Sequence, residues 1–169
     1  MGTIIFSIIL FSVEFLIAFN YFRRIFEYKH NYKKSVIIVG LSYIVLIFIY
    51  VLFSNTEWLN VLSFTIVNYI SIVLAFSSNQ KAAIFHSLML TLIMYLTEAI
   101  TVFFISSLFK LSSMHYQDSF YLLIIDAVIC KTLYFIFAKL ISLIATKERS
   151  KIDVGKYWIL IIMPICSIS

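Results

Sequence analysis

The stretch Ser35–Ser54, SVIIVGLSYIVLIFIYVLFS, settles the architecture. It runs for twenty residues without one charged side chain. A helix needs about 20 apolar residues to cross about 30 Å of hydrocarbon. Backbone groups in lipid must satisfy each other, and the run lacks the alternation of a barrel strand, so it reads as a helix. Working outward, similar runs cover Thr3–Phe22, Trp58–Phe76, Ala82–Phe109 and Phe120–Ile144, with a shorter one at Tyr157–Ser169. The expected fold is therefore all-α: a polytopic transmembrane helical bundle of five full spans plus a partial sixth.

Composition agrees. The 169 residues are 63% hydrophobic and 12% charged, whereas soluble domains carry about 25% charged residues. This excludes a soluble domain of ordinary size. The net charge of +5 follows the connectors and forms no basic face, so nucleic acid is not an expected partner, whereas membrane lipid is. Cys130 and Cys166 lie inside apolar runs without paired spacing, so neither a disulfide framework nor a metal centre is expected. Arg23 and Arg24 follow the first run directly, and no cleavage pattern ends it; it reads as a retained anchor and not as a signal peptide.

Orientation comes from the basic residues. Arg23, Arg24, Lys29, Lys33 and Lys34 follow the first span, Lys81 the third, and Lys147, Arg149, Lys151 and Lys156 the fifth. The even connectors hold Lys110 alone. Ten against one over short loops is a positive-inside pattern, and it predicts a multi-pass plasma-membrane protein with its N-terminus outside. Trp58 and Tyr121 then fall at the outer boundary, Tyr21 and Trp158 at the inner one. Phe22, Ile25 and Phe26 among the basic residues of Phe22–Lys34 predict a segment partly lying along the inner surface. The last run, about 13 residues containing Pro164, reads either as a half-span or as the front of a longer product; the second is expected.

Glu14, Glu98, Asp126 and Lys131 lie well within spans, with His86 and Lys139 nearer the inner ends. Each buried ionisable group costs about 2.5–3.5 kcal/mol or more, so each invites a functional reading. Glu98 shares a helix face with Thr91 and Thr101 and could line a ligand pocket or pair across helices. Asp126 and Lys131 are five apart, about 140° around the helix, and form no same-face pair. Asp126 is placed to meet an outside ligand, and Lys131 to answer Glu14 or Glu98. Lys139 reads as snorkelling to the headgroups. His86 reads as a satisfied interfacial histidine before a switch. Asn68 and Cys130 read as packing contacts. Enzyme signatures are missing: no HExxH, GxSxG or CxxC, and three glycines in all leave no phosphate-binding loop, so no cofactor is expected.

Lys81–Thr91 (KAAIFHSLMLT), continuing through Met94–Glu98 (MYLTE), resembles the membrane sensor of peptide quorum-sensing histidine kinases of the accessory gene regulator type. Glu14-Phe15, Asn20–Phe22 and Ile25–Glu27 are similar to the first span and loop of the same group. The resemblance implies a sensor domain over 1–169 that receives an extracellular peptide, dimerises, and controls a C-terminal GHKL-type kinase module and its response regulator. The phospho-accepting segment, the Asn box and the ATP lid are missing here, so kinase activity is not assigned to these residues. His86, at a membrane boundary, is not the phosphorylated residue. Two other readings stand beside this one: a small transporter or channel component, and a non-catalytic membrane assembly factor.

Overall fold

The computed structural model describes residues 2–53, 56–109 and 120–148. It holds five long helices: α1 (Gly2–Ile25), α2 (Tyr32–Leu52), α3 (Glu57–Ala75), α4 (Gln80–Phe109) and α5 (Phe120–Glu148). Two short strands, β1 (Glu27–Tyr28) and β2 (Phe76–Ser77), pair antiparallel, with Glu27 opposite Ser77 and Tyr28 opposite Phe76. All five helices are long and apolar enough to cross a membrane. Their outward faces carry large apolar side chains, as on α2 with Ile37, Leu41, Ile44 and Phe48. Water would not tolerate so continuous an apolar surface, and lipid does, which marks a membrane-spanning bundle. The expected partial sixth span lies outside the described residues, as do Arg149, Lys151 and the connector 110–119.

The helices form a closed ring in which α1 touches α2, α2 touches α3, α3 touches α4, α4 touches α5, and α5 returns to α1. Neighbours run antiparallel until closure. Because five is odd, α5 and α1 run parallel: Ile17, Tyr21 and Arg24 on α1 lie along Phe135, Ala138 and Ser142 on α5. The inward stripe of α1, Glu14, Ile17, Ala18, Tyr21, Phe22 and Ile25, follows the three-and-four spacing of a helix face. Small and hydroxyl residues fill the other seams: Ser35 on α2, Asn68, Ser71 and Ala75 on α3, Ser87, Thr91 and Thr97 on α4, Ala138 and Ser142 on α5. Without a hydrophobic drive between helices in lipid, such residues let the backbones approach and pack.

The first and third connectors meet at one end of the ring. There Ala75 O accepts from Lys29 N at 3.2 Å and from the Ser35 hydroxyl at 3.0 Å, joining the first connector to the third. The expectation of a surface-lying Phe22–Lys34 segment is corrected here. Helix α1 continues to Ile25 and the chain then pairs as β1, so Phe22, Ile25 and Phe26 are buried in the core. The reason is ring packing: Phe76 gathers Phe19, Phe22, Phe26 and Tyr28 at centroid distances of 5.5–6.5 Å. Arg23 and Arg24 remain exposed in the last turn of α1, where the helix dipole favours cations. Lys33 and Lys34, also exposed, sit in the first turn of α2, where the dipole opposes them.

Candidate functional site: an ionic triad beneath a cavity

Three helices supply one charged cluster. Lys131 Nζ on α5 lies 2.5 Å from Glu14 Oε1 on α1 and 3.3 Å from Glu98 Oε1 on α4. The Lys131 and Glu14 side chains are 10% and 7% exposed, and Glu98 is 46% exposed. Isolated ions at this depth carry a large desolvation cost, which mutual attraction and hydrogen bonding offset. Closure of the ring is what brings them together, since α5 sits between α4 and α1. The second Glu14 oxygen, Oε2, is buried without a hydrogen-bond partner among the described residues.

Above the triad, in the half of the bundle away from the basic connectors, lies a cavity of about 410 Å³. Glu14, Glu98 and Lys131 form its floor. Phe11, Tyr50, Phe64 and Tyr95 contribute aromatic wall, with Phe11 and Tyr50 edge-to-face at 5.1 Å. Ser7 and Asn60 add polar groups nearer the helix ends, and Asn60 Oδ1 is buried without a partner among the described residues. An apolar pocket with a few converging polar groups is the usual form of a ligand site.

The opposite half carries a layer of aromatic rings. Tyr21 OH and His86 Nδ1 lie 2.9 Å apart across the ring. Phe26 and Phe85 pack edge-to-face on the imidazole at 5.3 and 5.1 Å. Below the triad, Tyr134 on α5 is fully buried.

Of the residues picked from sequence, Glu14, Glu98 and Lys131 come together. Thr91 does not join them; its hydroxyl donates to Ser87 O at 2.9 Å and lies 3.0 Å from that of Thr65 on α3. Thr101 bonds back to its own helix at Thr97 O and Glu98 O. Asp126 is not among the cavity's lining residues, and its Oδ1 is buried without a hydrogen-bond partner among the described residues. His86 sits in the aromatic layer at the basic end. Asn68 accepts from Tyr43 OH at 3.0 Å, and Cys130 Sγ approaches Thr97 Oγ1 at 3.9 Å. Lys139 is exposed near the basic end, 6.0 Å from the Phe135 ring centroid. Lys147 lies in the last turn of α5. Sequence reasoning passed over Tyr50, Asn60 and Tyr95. Only the polar edge of Asn60 near a span boundary could have flagged any of them. Among the described residues no group of three or more His, Cys, Asp or Glu could hold a metal ion.

The chain matches no protein-family profile, no curated protein and no solved structure. Function is therefore read from the cavity and its charges.

Proposed function

We propose that the chain is the membrane-embedded sensing part of a bacterial receptor histidine kinase, reading an extracellular peptide in the plasma membrane. The cavity carries this reading: it is about 410 Å³, floored by the Glu14–Lys131–Glu98 triad, in the half of the bundle away from the basic connectors. With the Lys/Arg-rich connectors in the cytoplasm, the N-terminus is outside and the cavity faces the medium. A volume of that size takes one or two side chains of a peptide, the rest lying across the helix ends.

The ring offers a route for the signal. A ligand that shifts the triad biases α5 against both α1 and α4, and α5 passes the displacement on towards the last span, ahead of a GHKL-type module. Dimerisation and transfer to a response regulator belong to that module. A small transporter would also place charges at membrane depth. The Phe19, Phe22 and Phe76 rings and the Tyr21–His86 contact pack between the helices at the basic end, and this packing favours the sensing reading.

The test uses single cysteines at Asn60→Cys and Lys33→Cys, with Cys130 and Cys166 replaced by Ser. A membrane-impermeant maleimide added to intact cells is expected to label the first variant, and the second only after permeabilisation. Peptide-containing supernatant of the source organism is expected to slow labelling at position 60, and protease treatment to remove the effect. Labelling of position 33 in intact cells, or no protection by any supernatant, would overturn the proposal. Flux of ions through proteoliposomes of the whole chain would favour transport.

A further inference from the structure

We infer that the cavity takes a cationic organic group, an ammonium or guanidinium, seated between Glu98 and the aromatic wall. This rests on the sensing reading and names the chemistry that the site selects. The floor holds two carboxylates and one ammonium, so its formal charge is −1 with all three ionised. Lys131 engages one oxygen of each carboxylate, and Glu14 Oε2 stays buried without a partner among the described residues.

The charge balance of the floor favours a cation. Glu98, 46% exposed, is the carboxylate that the cavity reaches, while Glu14 adds its charge from beneath the surface. An anion would add to an excess of negative charge, and a neutral apolar group would leave that excess unbalanced. An ammonium balances it and donates to Glu98, and Phe11, Tyr50 and Tyr95 supply aromatic lining beside it. A bare metal ion would make little use of those rings, and no metal-binding group of acidic, His or Cys residues occurs among the described residues. A peptide amino terminus or a Lys or Arg side chain fits both the charge and the aromatic lining.

The experiment uses the whole chain in detergent micelles and two probes of equal shape, 4-fluorobenzylammonium and 4-fluorobenzyl alcohol, followed by ¹⁹F relaxation. The ammonium is expected to bind at least about tenfold more tightly, and Glu98→Gln to lose most of that preference. Glu98 is half exposed, so this variant is expected to keep the fold, which circular dichroism checks. Equal binding of both probes would overturn the cationic inference while leaving a ligand cavity in place. Displacement of the ammonium by excess sodium alone would reassign the site to a metal cation. Binding of neither probe to folded protein would overturn the inference and leave the sensing reading to its labelling test.

Discussion

Lys131 and Glu14 stand 117 residues apart in the chain and 2.5 Å apart in space. Their contact closes the helix ring between its first and last described helices. Lys131→Met leaves Glu14 buried without its counter-ion, which should cost about 3–5 kcal/mol. Unfolding of the purified protein in mixed micelles measures it, and the double variant with Glu14→Leu is expected to recover much of the loss. A Lys131→Met protein as stable as the wild type would remove the triad's structural role.

The two carboxylates are unequal. Glu98 is half exposed, so Glu98→Gln is expected to cost about 1 kcal/mol or less. Glu14→Gln breaks the buried contact and is expected to cost several-fold more in the same unfolding experiment. Similar losses at both positions would mean that the cavity does not hydrate Glu98.

Tyr21→Phe removes the hydroxyl that meets His86 and leaves the ring in place. A loss of about 1 kcal/mol is expected, with no change in labelling at the cavity end of the ring. If Tyr21→Phe alters accessibility of Asn60→Cys, the aromatic layer and the cavity are coupled.

Two buried serines give opposite expectations. The Ser35 hydroxyl donates to Ala75 O and helps tie the connectors, so Ser35→Ala should destabilise by about 1 kcal/mol. Ser71 Oγ is buried with no partner among the described residues, so Ser71→Ala should be neutral or stabilising. Thermal midpoints in micelles separate the two.

Much of the fold was legible from run length alone, because lipid leaves an apolar twenty-residue segment one solution. The five expected spans are present. The neighbours of each helix were not legible, since outward and inward faces are nearly equally apolar. The seams show in retrospect as small and polar residues at helical spacing, such as Asn68, Ser71 and Ala75 on α3. At the site, the need of Lys131 for a carboxylate from another helix is readable from the cost of an unpaired ion. Its bridging of both Glu14 and Glu98 depends on ring order, which no local pattern encodes. Thr91 shared a helical face with Glu98 on paper, yet packing turned it to Thr65.

The parallel closure of the ring has a consequence for biogenesis. During synthesis α1 leaves the ribosome first, and Glu14 enters the bilayer while the codon for Lys131 has yet to be read. For that interval Glu14 lacks its counter-ion. Arrival of the fifth helix supplies it, so the contact between α1 and α5 is among the late ones to form.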